Sequence, residues 1–382
     1  MMQQLGFGFE DGVPVVIHVP AAPRKPVRKN TAKPAVAARV APPSVGLDLS
    51  GASPAVPVAA PAIVPVGLTA AEPAAVAAAT SEHFETLAQR VDAHPDYRVL
   101  RRLVPRLDFG TPAPAADVAR LLILDTETTG LNHARDKIME LALLRVDVDR
   151  ATGQPVGPVQ VYDGLEDPGQ PIPAEVQAIT GIDDAMVQGQ RLDEARIAEL
   201  LAGVDLIVAH NAGFDRPFVE ARLPDFAAKA WACSFADIDW KAEGRGSSKL
   251  ESLAFGLGLF YDAHRAEMDC HALLAVLQAD LPASRHTGLA RLLASAPTLR
   301  YRLQATGAPF EAKDLLKDRG YRWDAAQKVW HTRLDDAALL EAEAAWLKEQ
   351  VYGQRAARVQ VETLDALVRY SGRPGLVDQR ML

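Results

Sequence analysis

Two carboxylates one residue apart, Asp125 and Glu127, end the apolar run Leu121-Leu-Ile-Leu124. A run of that kind is expected to be a buried central strand, and period-two alternation then puts both acids on the same side of its tip. Two anions sharing one cavity raise each other's pKa unless a cation sits between them, and oxygen donors suit a hard divalent ion such as Mg²⁺ or Mn²⁺. The triplet alone carries little, because most Asp-x-Glu triplets are surface or turn residues. The apolar strand ahead of it is what makes it a candidate site.

A third carboxylate, Asp215, closes His210-Asn-Ala-Gly-Phe-Asp215 behind a second apolar run, Leu206-Ile-Val-Ala209. Pro217 suits the first turn of a helix over Arg216 to Leu223, which places Asp215 at that helix's N-terminal end. The plainer alternative is that Asp215 only caps the helix and Asn211 closes a turn. A fourth, Asp269, follows His264 in His264-Arg-Ala-Glu-Met-Asp269. The spacing predicts a helix over Arg265 to Leu281 with Ala266, Cys270, Leu273, Leu274 and Leu277 as its buried stripe and Asp269 beside it. His264 precedes that helix, where it could take a proton from water near neutral pH, although in isolation it reads as an exposed loop histidine.

In this order and spacing, Leu124-Asp-Thr-Glu-Thr-Thr-Gly-Leu131, Ala209-His-Asn-Ala-Gly-Phe-Asp215 and His264-Arg-Ala-Glu-Met-Asp269 resemble the three motifs of the DEDDh branch of the DnaQ-like 3′-to-5′ exonuclease superfamily. That superfamily includes the epsilon proofreading subunits of bacterial DNA polymerase III. The resemblance spans residues 118–285 and takes in Pro171-Ile-Pro-Ala-Glu-Val176 and Ile179-Thr-Gly-Ile182, a segment that in this family lies by the terminal nucleotide. It implies a ribonuclease H-like α/β fold, a mixed sheet flanked by helices. It also implies two divalent ions, Mg²⁺ or Mn²⁺, held by Asp125, Glu127, Asp215 and Asp269, with His264 as general base.

The implied reaction is release of nucleoside 5′-monophosphates from DNA 3′ ends, with single-stranded ends as the expected substrate, in repair or proofreading. Contacts to the terminal nucleotide are implied for Thr128, Thr129, Glu175, Thr180, Asn211 and Phe214, with strand-end hydrogen bonding (the threonines) and core packing (Phe214) as the plain alternatives. Two other readings stand beside this one: an exoribonuclease acting on RNA ends, and a non-catalytic nucleic-acid-binding scaffold. The complete set of four acids and a histidine speaks against the scaffold, because binding alone demands none of them.

The elements that must position these residues are legible in outline. Ile138 to Val148 and the short Val159 to Tyr162 read as an antiparallel meander joined by the turn-formers of Asp149 to Gly157. Helical spacing covers Leu192 to Ala202 and Lys249 to Leu257, so strands and helices mix as in an α/β layered fold. Residues 118–285 are expected to form the exonuclease domain. Residues 295–382 read as a small α+β module: a strand from Tyr301, a helix Phe310 to Asp318, a Trp-bearing hairpin Tyr321 to Leu334, a helix Asp336 to Val351 and a strand Arg358 to Glu362. Its Trp323 and Trp330 beside Lys and Arg would suit single-strand binding, but cross-strand core packing is the favoured reading. The loop Lys241 to Lys249, with Gly244, Arg245, Gly246 and paired serines, could grip phosphates, but its few cations, interrupted by Glu243, make a plain mobile loop the favoured reading.

Residues from about Pro20 to Thr80 alternate Pro, Ala and Val with scattered Lys and Arg and bury too little to offset ordering entropy, and residues 1–80 are expected to be a disordered leader. Residues 81–117 read as a helical lead-in, with Ser81 as cap and Leu87, Val91, Leu100 and Leu103 on its faces. In the leader, Gln4-Leu-Gly-Phe-Gly-Phe9 resembles a degenerate sliding-clamp-binding peptide. The net charge of -8 is opposite in sign to that of a protein coating nucleic acid non-specifically, so any nucleic-acid track must be a local basic rim. Cys233 and Cys270 are too far apart for a CxxC knuckle and read as reduced thiols. Proline breaks the apolar stretch Pro54 to Ala79, so no membrane span is expected, and the chain reads as cytoplasmic.

Overall fold

The computed structural model describes residues 8–10, 13–15, 83–111, 117–353 and 355–382. Near the N-terminus, β1 (Gly8–Glu10) and β2 (Val13–Val15) pair antiparallel. Gln4 to Phe7 of the clamp-like peptide lie outside the described residues, as does most of the expected leader. Residues 83–92 form a helix, α1, that ends before Pro95, whose ring disfavours helical geometry in the residue ahead of it. The expected continuation of a helix through Leu100 and Leu103 is therefore corrected. Arg101–Arg102 is instead a short strand, β3, parallel to Leu259–Phe260, and Leu103 enters the core.

The main sheet is built around β4 (Val118–Thr128). On one side β5 (Ile138–Asp149) pairs antiparallel with it and β6 (Pro155–Leu165) antiparallel with β5; on the other, β7 (Leu206–Ala209) and then β8 (Trp231–Cys233) run parallel. Helices α2 (Ala174–Thr180), α3 (Asp184–Val187), α4 (Glu194–Leu201), α5 (Ala212–Arg222), α6 (Leu250–Gly256), α7 (Ala266–Gln278) and α8 (Gly288–Ser295) follow in chain order, with β9 (Leu259–Phe260) between α6 and α7. The mixed sheet between helical layers is ribonuclease H-like. Alternation along β4 divides the core. Leu121 and Ile123 pack with residues of α6, α7 and α8, whereas Leu122 and Leu124 pack with residues of α4 and α5.

Two elements differ from expectation. β6 begins at Pro155, well before Val159, because an outer strand tolerates the proline and glycine that read as turn residues, and a register shift opposite Arg145 and Asp147 absorbs the irregularity. Helix α5 begins at Ala212, a full turn before Arg216, with Asn211 entering it in the left-handed conformation (φ 73°). Pro217 thus lies inside the helix, where its missing N–H leaves the Gly213 carbonyl without the usual intrahelical donor. Strand β8, helices α2 and α3 and the last strand of the chain had no clear periodic signal, whereas α8 carries an apolar stripe at Leu289, Leu292 and Leu293.

The C-terminal sheet contains β10 (Arg300–Ala305), β11 (Arg322–Asp324), β12 (Val329–Leu334), β13 (Arg358–Leu364) and β14 (Leu376–Met381), all antiparallel in the order β11-β12-β10-β13-β14. Helices α9 (Lys313–Asp318) and α10 (Ala337–Trp346) supply Leu316 and Leu340 to a core with Leu303, Ala305, Val359 and Val361. Trp323 and Trp330 are cross-strand partners with ring centroids 5.5 Å apart; Trp330 packs on this core while Trp323 stays half-exposed. Core packing thus accounts for Trp330. Cys233 and Cys270 are both free thiols and both buried. Among the described residues no helix is long and apolar enough to cross a membrane.

Arg216 ties the C-terminal segment to α5. Its side chain is fully buried, its Nε donates to Glu220 Oε1 at 2.6 Å, and its Nη atoms donate to the carbonyls of Ala366 (3.2 Å), Leu367 (2.5 Å) and Arg369 (2.6 Å). Removing it leaves Glu220 with Arg373, the Ala366 carbonyl with the Trp231 N–H and the Leu367 carbonyl with Arg373, but strips the Arg369 carbonyl of its donor, so Arg216→Ala is expected to destabilise the fold by about 2–3 kcal/mol. Urea unfolding of the full chain measures this; a loss within experimental error of zero would mean the latch carries no stability.

Candidate active site

Asp125 and Glu127 continue the face of β4 that Leu121 and Ile123 turn toward α7, so both carboxylates meet the first turn of that helix. Asp269 is in that turn. One carboxylate oxygen from each of Asp125, Glu127 and Asp269 lies within 4.8 Å of the others. Thr126, between the two strand acids, faces the other way, and its hydroxyl donates to Asp215 Oδ1 at 2.8 Å. Asp215 is 2% exposed at the start of α5, outside the 4.8 Å group but close enough for its charge to act on Asp125. The strand tip therefore receives one acid from the helical layer on each of its faces.

The electrostatics follow from this crowding. Burial, then the charges of Asp215, Asp269 and Glu127, hold the Asp125 carboxyl well above the usual carboxylate range. Burial and the charges of Asp269 and Glu140 push Glu127 up to about 8, with Arg265 pulling the other way. Asp215 is pushed up to about 7, chiefly by burial, against the Thr126 hydrogen bond that favours its charged form. Asp269 is raised by burial despite its donors. Such a set of hard oxygen donors suits a small divalent cation. An octahedral ion with bonds of about 2.1 Å spans roughly 4.2 Å between opposite ligands, so three oxygens within 4.8 Å need only a small closure to share one.

Donors that sequence reasoning did not single out hold Asp269. The Tyr261 hydroxyl donates to its Oδ1 at 2.9 Å, and the N–H groups of His264 and Arg265 donate to its Oδ2 at 2.8 and 3.2 Å. The two N–H groups converge because His264 adopts φ 66°, a left-handed conformation that costs a non-glycine residue roughly 1–2 kcal/mol. The His264 side chain is exposed. Beneath the site, Glu140 sits opposite Glu127 in the sheet register and is fully buried. Its carboxylate takes a bidentate contact from Arg265 (2.7 and 3.0 Å to Oε1) and the N–H of Ala266 (3.0 Å), pinning the N-terminus of α7 to β5. A glutamate within the otherwise apolar Ile138-Met-Glu-Leu-Ala-Leu-Leu144 was the available signal.

The substrate-contact candidates are dispersed. Thr128 and Thr129 are buried with engaged hydroxyls: Thr128 donates to the Gly130 carbonyl (2.6 Å), while Thr129 Oγ1 accepts from Lys137 N–H (3.0 Å) and Gln170 Nε2 (2.8 Å). This closes the loop after β4, where a Cβ at Gly130 would come within 2.5 Å of the Asp136 carboxylate and make that side chain shift. Thr180 is buried, donating to the Val176 carbonyl and accepting from Ile182 N–H, and Glu175 is exposed on α2. Asn211 and Phe214 border an open groove, and Phe214 packs on Phe218 with centroids 5.2 Å apart.

An exonuclease family model matches residues 122–277, a span containing all four acids and His264. The DNA polymerase III epsilon subunit of Treponema pallidum is 32% identical over 160 residues, covering 39% of this chain and 71% of its own. The PolC-type DNA polymerase III of Thermotoga maritima is 28% identical over 203 residues, covering 51% of this chain but only 14% of the polymerase. Two solved structures are also similar: Escherichia coli exonuclease I in complex with a dA16 oligonucleotide (17% identity, 59% of this chain and 67% of that one, TM-score 0.39), and exonuclease X in complex with 5′-overhanging duplex DNA (27% identity, 44% and 99%, TM-score 0.32).

The crowded acids have a measurable consequence. Glu127 and Asp215 have folded-state pKa values of about 8 and about 7, raised from ordinary values of 4.5 and 3.8. The stability they contribute is full below the ordinary values and is lost as pH rises through the folded ones. In chelator, the melting temperature is therefore expected to fall between about pH 5 and pH 8.5, and Mg²⁺ to raise it more at the alkaline end. Glu127→Gln should flatten the fall. A melting temperature equally insensitive to Mg²⁺ at both ends would contradict this account.

Proposed function

Because this chain belongs to the DnaQ-like exonuclease family and carries a nuclease domain, we propose that it is a metal-dependent 3′-to-5′ exonuclease. In this reading it releases nucleoside 5′-monophosphates from DNA 3′ ends, in repair or proofreading, and acts in the cytoplasm. The observation that carries the proposal is the convergence of Asp125, Glu127 and Asp269 within 4.8 Å at the tip of one buried strand, with Asp215 behind it.

Asp125, Glu127, Asp215 and Asp269 would hold two divalent ions, Mg²⁺ or Mn²⁺. When bound, such ions supply Lewis-acid activation and charge neutralisation at the phosphodiester. The remaining chemistry falls to the chain itself. His264, exposed beside the acids, takes the proton of the attacking water. Its left-handed turn lets its own N–H orient Asp269, so one residue both places a ligand and carries the base. Tyr261 and Thr126 orient Asp269 and Asp215, respectively. Asn211 and Phe214, bordering the groove, hold the terminal nucleotide, while Thr128 and Thr129 fix the loop that shapes its pocket. Glu175, exposed on α2, contacts the same nucleotide, while Thr180 acts only through α2, which its hydroxyl braces at Val176 and Ile182.

Incubating the full chain with 5′-labelled single-stranded DNA and matched RNA, in Mg²⁺ or Mn²⁺, tests the proposal. Stepwise shortening from the 3′ end is expected, with nucleoside 5′-monophosphates as product and no turnover in chelator. Asp125→Ala should abolish turnover, and His264→Ala should lower it about 10²- to 10⁴-fold. Shortening from the 5′ end, or turnover that survives chelation, would sink the mechanism; preference for the RNA strand would transfer it to RNA ends. Binding without turnover in any metal would favour the scaffold reading.

A further inference from the structure

The C-terminal sheet has two unlike faces. Leu303 and Ala305 of β10 and Val359 and Val361 of β13 point into the core under α9 and α10. Period-two alternation turns Arg300, Arg302 and Gln304 of β10 to the opposite face, with Gln360 of β13 beside Gln304. That face is not covered by a helix of its own. It forms one wall of a groove of about 790 Å³ whose other wall includes Asn211, Phe214 and Phe235 of the exonuclease domain. The groove thus begins at the turn that carries Asp215.

Its lining holds five arginines against two carboxylates, in a chain whose net charge is -8. Arg300 pairs with Asp237 at 2.8 Å and Asp335 at 3.5 Å, Arg302 with Asp324 at 2.9 Å and Glu362 at 3.8 Å, and Arg373 with Glu220 at 3.1 Å. Arg333 and Arg373 are exposed. Arg302 and the exposed Arg333 are direct cross-strand partners, so two guanidiniums stand side by side on this face.

We propose that this groove, formed jointly by the exonuclease domain and the C-terminal sheet, binds the sugar-phosphate backbone of a single nucleic-acid strand on the 5′ side of its terminal nucleotide. Arg302 and Arg333 take phosphates, and Phe235 offers a ring face to a base. The inference rests on the proposed function for the direction in which the strand enters, but strand binding itself does not depend on turnover.

The test is fluorescence anisotropy in chelator, with the full chain and 5′-labelled oligothymidylates three and twelve nucleotides long, across a range of salt concentrations. The dodecamer is expected to bind at least about tenfold more tightly than the trimer. Arg302→Ala and Arg333→Ala should each weaken dodecamer binding several-fold and reduce the slope of log affinity against log salt by about 0.7, the increment for one phosphate contact on a single strand. Gln360→Glu adds an anion of unchanged shape and so tests the groove without removing an ion pair; it should weaken dodecamer binding at low salt and converge with wild type at high salt. Equal affinity of the wild type for both lengths, or unchanged dodecamer affinity and slope in all three variants, would overturn the proposal. Length-dependent binding through the groove in a chain that never turns over DNA would keep this inference and discard the exonuclease. Turnover with no groove effect would do the reverse.

Discussion

Like charges a few ångströms apart in a poorly solvated place repel strongly. At an effective dielectric constant of about 20, two carboxylate charges separated by 4.8 Å repel by about 3.5 kcal/mol, and this site crowds three such groups together with a fourth behind them. Protons, donors or cations must relieve that repulsion, and each feature near the strand tip can be understood by which of these it supplies. Thr126 offers Asp215 a hydroxyl, Tyr261 offers another to Asp269, and the left-handed turn at His264 delivers two N–H groups. These donors leave the acids with raised pKa values, so room remains for cations.

Holding such a cluster in place requires a frame that does not yield, and the frame is the sheet. Alternation along β4 sends its aliphatic residues into two separate cores and, at its tip, sends Asp125 and Glu127 toward α7 and Thr126 toward α5. Each flanking helix is pinned where it delivers its acid. Glu140 and Arg265 fix the start of α7 to β5, while Arg216, one residue after Asp215, anchors α5 to the carbonyls of the C-terminal segment. Both pins are arginines because a guanidinium presents several donors in one plane and can serve a carboxylate or several carbonyls at once.

The C-terminal sheet is joined to that frame rather than appended to it. Trp231 of β8 donates its backbone N–H to the Ala366 carbonyl, and its ring lies 5.2 Å from the Arg216 guanidinium that serves the same carbonyl. Tyr370 donates to Asp237, which also receives Arg300. The polar face of the sheet is consequently held beside the turn that carries Asp215, and a displacement of the C-terminal segment would act directly on α5.

The sequence by itself determined the strand that carries Asp125 and Glu127, the order and family character of the three acidic segments, and the α/β class. These are local properties: alternation in an apolar run, and residue types at fixed short separations. It misplaced what depends on neighbours. α5 starts a turn earlier than its proline suggested, because α5 packs on β7 and β4 through Ala212, Phe218 and Val219, and burial of that face outweighs one missing hydrogen bond. β6 is long because pairing with β5 outweighs its proline and glycine. Only the tertiary structure showed that Glu140 and Arg265 are partners across 125 residues, that Arg216 reaches the C-terminal segment, and that the threonines after Glu127 spend their hydroxyls within the protein. Contacts of that kind are set by how distant segments meet, and no short window of residues contains both sides of them.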